Sequence, residues 1–402
     1  MKALYISYDG MTDPLGQAQV IPYLIGLTKK GHNFTILSYE KYDKYIQFGE
    51  KVRKQLKDNS IVWRPFRYHK RFSVVATSYD IFSGFIYLLF FIPAQKIKIL
   101  HCRSYITSIL GLLFHKIYGT KFIFDMRGFW ADERLEGGIF KKNYIYYFFK
   151  YLEKQFIKNS DAIIALTVNS IEEMKTWHYV SEKYNNKFYH ITTCCDIDKF
   201  RQTYNSRLQK KVDINHLNFV YIGSIGPWHS LKDVSDFIVF TYEYLPASRF
   251  KIIVNSGKEQ LSQFIGSKGL NSNRFIVDSV PHNKIPEALM GADIGLFFIP
   301  PVYAKKASSP TKLGEMLSAG IPVITGHSVG DVDQLISGNR VGYIIKEGGI
   351  TEYKKAIDYV INLIKENREK LLERCLVVAN DYFSLEKGIE KYHRIYERLT
   401  NG

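Results

Sequence analysis

A chain of 402 residues, 46% apolar and 23% charged, has the length for two or three domains and the composition for packed cores, which excludes a disordered or fibrous protein. Formal charge is +16 and uneven: residues 1–200 hold 29 Lys+Arg against 18 Asp+Glu, so an anionic partner is expected for the first half. Four cysteines (Cys102, Cys194, Cys195, Cys375) show no CxxC spacing, so neither disulfides nor zinc is expected and a reducing cytosol fits.

The first residues, MKALYISYDG, read as a strand, not a leader. This strand, Lys2 to Tyr8, runs into a glycine-bearing loop with Gly10 and Gly16. A helix is expected over Gln17 to Lys30, with Val20, Leu24 and Leu27 on one face, and a strand over Phe34 to Tyr39. Open α/β sheets bind ligands at the carboxyl ends of their strands, and this loop sits at one. Gly10 and Gly16 either let backbone N–H groups approach a diphosphate or are turn glycines; the spacing is not that of a dinucleotide fingerprint. Residues 41–72 hold ten basic and three acidic residues, with Trp63, Phe66, Tyr68 and Phe72 interleaved. That mixture suits the headgroup region of an anionic bilayer, or else a solvated helix face. The longest nearly apolar run, Ile81 to Ala94, is too short to span a bilayer and contains Pro93.

Two further strands, Ile97 to Cys102 and Lys121 to Phe124, deliver Arg103 and the stretch Asp125-Met126-Arg127-Gly128. A strand that ends on Asp-x-Arg-Gly is poor packing material, which argues for a site around Asp125 and Arg127. The alternative is a buried ion pair that holds a loop. Tyr144 to Lys158 reads as a helix, Ala162 to Leu166 as a strand, and the polar run Arg201 to Lys211 as a linker. A second βα series opens at Asn218 to Ile222 on a glycine loop with Ser224 and Lys232. Strands follow at Lys251 to Val254, Arg274 to Val277 and Asp293 to Ile299. The triplets Asp196-Ile197-Asp198 and Asp331-Val332-Asp333 have the DxD form of metal-dependent transferases; one reads as a connector and the other as a helix start, so no metal is expected. Expected domains are 1–205, 206–382 and a final helix, 383–402, that crosses back to the first.

The stretch Ser308 to Thr325, SSPTKLGEMLSAGIPVIT, reads as a turn, a short helix and a buried strand. Ser308, Ser309 and Thr311 are N-cap chemistry, and Gly320 stops the helix. A helix N-terminus with hydroxyls and Lys312 beside it is an anion site, most naturally for phosphate. Glu315 lies one turn inside, where a carboxylate can accept from a ribose diol. A capped helix whose Glu complements the dipole is the plainer alternative.

Together with DPLGQAQVIPYL near the start and HITTCCDIDKF at the connector, this stretch resembles family 4 retaining glycosyltransferases, which have the GT-B fold. Members usually carry two glutamates separated by seven residues; Glu315 matches the second, and Ala307 stands where the first would be. The chain is instead similar to a subgroup reading SPTKxGExLxxGxPVI. The resemblance implies an α/β fold of two Rossmann-like domains facing a cleft. It also implies a nucleotide-sugar donor held by Gly10, Gly16, Ser224, Lys232, Ser309, Thr311, Lys312 and Glu315. The acceptor is then a glycan or lipid-linked glycan in surface polysaccharide synthesis, with Arg103, Asp125, Arg127 and Lys312 as the catalytic set. Partners then include an anionic membrane surface, at the cytoplasmic face, and no nucleic acid, for which the chain has no recognition motif. Rival readings are a sugar-nucleotide epimerase on the same fold and a non-catalytic membrane scaffold with a degenerate site.

Overall fold

Thirteen short runs of branched and aromatic residues, most of them apolar on both faces, are the signature of parallel strands buried between helices. The computed structural model describes residues 2–69, 73–223, 231–254 and 257–401 and assembles those runs into two all-parallel sheets. The chain divides into two compact units, Met1–Thr192 with Leu385–Gly402, and Thr193–Ser384.

In the first unit the strands are β1 (Lys2–Ser7), β2 (Asn33–Glu40), β3 (Val62–Arg67), β4 (Ile99–Arg103), β5 (Lys121–Asp125), β6 (Ala162–Ala165) and β7 (Phe188–His190). Their order is β3-β2-β1-β4-β5-β6-β7, so the connection direction reverses between β1 and β4, where such sheets place their ligands. Register sets Ser7, Arg103 and Asp125 side by side at the carboxyl edge. The helix Leu385–Asn401 belongs to this unit. It packs on Ile21–Lys29, where a Cβ on Gly26 would come within 2.2 Å of Ile389 Cδ1. Tyr392 and Tyr396 are buried, and Lys30 Nζ lies 2.8 Å from Glu390 Oε2.

The second unit has β8 (Asn218–Gly223), β9 (Arg249–Val254), β10 (Phe275–Asp278), β11 (Ile294–Phe297), β12 (Val323–Gly326) and β13 (Gly342–Ile345), in the order β10-β9-β8-β11-β12-β13. Its reversal lies between β8 and β11. Gly342 is required, because a Cβ there would sit 1.9 Å from the Val323 carbonyl oxygen of the neighbouring strand.

Several expectations are corrected. The helix over 17–30 is two helices, Pro14–Gln19 and Ile21–Lys29, since Pro22 cannot donate to a continuing helix and serves in a first turn instead. Strand β3 lies inside the basic stretch, and it turns Trp63 inward to donate from Nε1 to Ser38 Oγ at 2.8 Å. Phe66 and Tyr68 pack on Tyr39 and Tyr8, so Trp63, Phe66 and Tyr68 are not outward anchors, while Phe72 lies outside the described residues. The apolar run after it belongs to a longer helix, Ser73–Gln95. The linker is the helix Arg201–Gln209, with Arg207 buried and Thr203 Oγ1 donating to the Pro286 carbonyl at 2.7 Å. The passage between units falls at Thr192–Thr193, because Thr193 is bonded to Ser309 and Cys195 N donates to the Phe383 carbonyl at 2.8 Å.

Candidate functional site

The helix Thr311–Ser318 follows β11 in the second unit and buries Leu313, Met316 and Leu317. Its cap is Pro310, extended and without a side-chain cap bond. The N-cap position expected of a hydroxyl residue is thus taken by Pro310, which has no side-chain acceptor. Ser309 is drawn to the connector instead: Thr193 Oγ1 donates to the Ser309 carbonyl at 2.6 Å and lies 3.0 Å from Ser309 Oγ. A helix N-terminus carries the positive end of the helix dipole and favours an anion. Gly314 seats the helix on Phe383, whose Cγ would be 2.7 Å from an added Cβ. Gly320 ends the helix with φ +71°.

Two charged side chains stand on this helix. Lys312 has its Nζ 5.8 Å from the centre of the Phe297 ring. Burial pushes its ammonium down to about 8, opposed by Glu315 and reinforced by the like charge of Lys305. Glu315 is 5% exposed, and Oε1 lies 2.8 Å from Nε2 of His282. That hydrogen bond raises the His282 pKa. His282 sits in the turn His282–Lys284 beyond β10 and has no helical or strand periodicity to mark it; only its place after a strand end signals a site. Lys232 is 83% exposed and pairs with Asp236 at 3.5 Å. Ser224 and the rest of its loop to Ser230 lie outside the described residues.

The glycine loop of the first unit has a different use from the one expected. A Cβ on Gly10 would lie 2.6 Å from Glu40 Oε2, and one on Gly16 would lie 2.3 Å from the Gly10 carbonyl oxygen. The buried Glu40 carboxylate accepts from Met11 N at 2.7 Å, Thr12 N at 3.1 Å and Ser38 Oγ at 2.5 Å. The N–H groups of Met11 and Thr12 in this loop are thus bonded to a carboxylate of the chain itself.

At the carboxyl edge of β4 and β5 the structure brings Arg103, Asp125 and Arg127 together. Arg103 donates to Gln19 Oε1 at 3.1 Å and to Asp9 Oδ2 at 3.3 Å. Arg127 donates to the same Gln19 oxygen at 2.8 Å, and its Nη1 is 3.7 Å from Asp125 Oδ1. His101 is buried with Nδ1 2.8 Å from Tyr396 OH and Nε2 3.4 Å from Asp125 Oδ2. Burial lowers the His101 pKa and keeps the ring neutral, while the Arg127 charge holds Asp125 below its usual range against burial. A buried network steadies the loop beyond: Lys150 Nζ reaches Asp132 Oδ2 at 2.9 Å and Glu153 Oε1 at 2.5 Å. Asp9 and Gln19 went unread in the sequence because neither belongs to a periodic pattern.

Three carboxylates of the two DxD triplets have partners within the chain. Asp196 pairs with Lys199 at 3.3 Å, Asp198 with Arg201 at 2.6 Å, and Asp333 accepts from Ser328 N at 3.0 Å.

Residues 219–374 match the family model for glycosyl transferases group 1. Over 99% of its length the chain is similar in fold to a glycosyltransferase from Rickettsia africae ESF-5, with TM-score 0.72 and 14% identity over 98% of that chain. It is similar also to Anabaena Alr3699/HepE in complex with UDP, with TM-score 0.69 and 13% identity over 100% of both chains. The glycosyltransferase WaaG, involved in lipopolysaccharide biosynthesis, matches at TM-score 0.66 and 14% identity over 98% of this chain and 99% of that one. No curated protein sequence matches the chain. The fold is that of GT-B glycosyltransferases, two parallel-sheet α/β units.

Proposed function

We propose that this glycosyltransferase, with a group 1 domain on the GT-B fold, transfers a hexosyl residue from a nucleotide-sugar to a glycan or lipid-linked acceptor in surface polysaccharide synthesis. The observation that carries the reading is the placement of Lys312 and a buried Glu315 one turn apart on the helix Thr311–Ser318, which follows β11. The transfer breaks the bond from the anomeric carbon to the diphosphate and forms one to an acceptor hydroxyl oxygen, with retention. Charge grows on the leaving diphosphate, so a fixed cation and helix N–H groups beside it stabilise the transition state most. Glu315 accepts from the ribose hydroxyls. The Anabaena protein of similar fold was crystallised in complex with UDP and with UDP-glucose, which makes a uridine donor the first to try. A thermal-shift panel of UDP-, GDP- and ADP-sugars is expected to show one base raising Tm, because a ligand that binds only the folded chain stabilises it. A panel without any shift would defeat the donor assignment.

No metal enters this reading, since Asp196, Asp198 and Asp333 each have a partner within the chain and Lys312 supplies charge at the diphosphate. Activity is expected to survive EDTA within about twofold. Loss of turnover under chelation, with recovery on added manganese, would show that the charge on the diphosphate comes from elsewhere.

The acceptor is proposed to be lipid-linked and presented at an anionic membrane surface. The helix Ser73–Gln95 exposes Val75, Tyr79, Phe82, Ile86 and Phe90, spaced by four, three, four and four residues, so they form one stripe. By length and composition it would cross a membrane. Its other face is tied to the unit, however: Asp80 is buried and accepts from Tyr8 OH at 2.9 Å, and Leu88 and Ile92 are buried. It therefore lies along the interface in this reading. The helix Tyr42–Asp58 adds exposed Lys44, Lys51 and Lys54, each worth about 1 kcal/mol near an anionic surface. Vesicles with anionic lipid should bind the chain, and added salt should weaken the binding. Replacing Phe82 and Phe90 by Ser should weaken it at least tenfold. Unchanged binding in that variant would exclude the stripe.

A further inference from the structure

Arg103 and Arg127 present an electrostatic oddity. Both guanidinium groups donate to one neutral oxygen, Gln19 Oε1, at 3.1 and 2.8 Å. Each side chain is more than nine-tenths buried, at 5% and 8% exposure. Two like charges held side by side out of water normally share a carboxylate, because burial removes the solvent that would otherwise screen them. Here one acid stands near each arginine, and both are loosely engaged. Asp125 lies 3.7 Å from Arg127, beyond hydrogen-bond reach, and Asp9 is 3.3 Å from Arg103 with its carboxylate 45% exposed. Arg103 Nη1 and Arg127 Nε have no hydrogen-bond partner among the described residues, although both atoms are buried.

Three further features mark the place. It lies at the carboxyl ends of β1 and β4, the reversal point of this sheet. Arg127 and Ser104 are non-glycine residues at φ +57° and +67°, a strain that persists where surrounding structure imposes it and that clusters at ligand clamps. Asp9, the partly exposed partner, can yield its place on Arg103 to an incoming anion without leaving a buried charge behind.

We propose that Arg103 and Arg127 form a clamp for an oxyanion of the acceptor, either a phosphate or diphosphate ester or a sugar carboxylate. Guanidinium groups match both geometrically and stay charged, so they serve binding and not proton transfer. The word acceptor rests on the sugar-transfer reading; the presence of an anion site does not. On this assignment the two arginines position the acceptor, and the sequence-based expectation that they are catalytic gives way.

The test uses inorganic pyrophosphate, and separately glucuronate, titrated into the full chain and followed by calorimetry. Lys312→Ala removes the cation of the second unit and should keep the clamp. Arg127→Gln should lose affinity at least tenfold, and Arg127→Lys should lose less. Retained affinity in Arg127→Gln, or loss in Lys312→Ala alone, would overturn the proposal, the latter by placing the anion at the donor helix. Pyrophosphate without glucuronate selects a phosphorylated acceptor, and the reverse selects an acidic sugar; binding of neither overturns the clamp. A nucleotide-sugar shift in Arg127→Gln as large as in wild type separates this outcome from failure of the donor reading. Gln19→Glu guards against a misfolded variant: a carboxylate between the arginines should raise Tm and abolish pyrophosphate binding. A lowered Tm with binding intact would show that no anion is missing there.

Discussion

Lys312→Ala is expected to lower kcat by about two to three orders of magnitude, the loss typical when one preorganised group at a developing charge is removed. Donor affinity should change far less. The reasoning is differential: the leaving diphosphate carries more charge in the transition state than in the bound donor, so a cation there acts mainly on kcat. The pH profile provides an independent check. Burial brings the free ammonium down to about 8, so kcat/KM should fall as pH rises through about 8, where an ordinary lysine would still be charged. A bound diphosphate favours the ammonium, which should move the corresponding limb of kcat to higher pH. The limb should be missing from Lys312→Ala. Equal losses in donor binding and in kcat, or a limb that survives the substitution, would remove Lys312 from the leaving-group role.

Periodicity and strand-end loops made most of the fold legible. The strands β1, β2, β5, β8 and β12 are apolar runs bounded by turn residues, and a reading of them in order already implies two parallel sheets. What escaped has identifiable causes. Strand β3 carries Arg64 and Arg67 and sits at the sheet edge, where one side faces water, so it lacks the buried signature of its neighbours. The helix Arg201–Gln209 looks like a linker because its stability comes from a few tertiary anchors, Thr203 and Arg207, and not from an apolar stripe. Lys312 and Glu315 were singled out because a short helix with a fixed start was legible around them. His282 and Glu40 were not, because each meets its partner across a separation of about thirty residues, 33 and 29, which no local pattern encodes. The same holds for the loop of Gly10 and Gly16, whose neighbouring carboxylate comes from the end of β2.

Glu315→Gln should weaken donor binding by roughly tenfold to a hundredfold, the range expected when hydrogen bonds to a charged acceptor, about 1.5–3 kcal/mol, become neutral ones. Turnover at saturating donor should change little, since the ribose lies away from the breaking bond. The fold should also persist, because Gln keeps the shape of a side chain whose neighbours Leu313, Met316 and Leu317 supply the packing. His282 gives this variant a second signature. A hydrogen bond to Glu315 raises the His282 pKa above its ordinary 6.5. Its contribution to stability is therefore complete below about pH 6.5 and is lost as pH rises through the raised folded value. In Glu315→Gln that part of the pH dependence of Tm should flatten, because an amide does not favour the charged ring. His282→Ala should flatten it equally while retaining the carboxylate, and so should bind the donor far better than Glu315→Gln does. If His282→Ala loses donor affinity as severely, the ribose contact belongs to the pair and not to Glu315 alone; if Glu315→Gln binds donor as wild type does, the carboxylate only complements its helix.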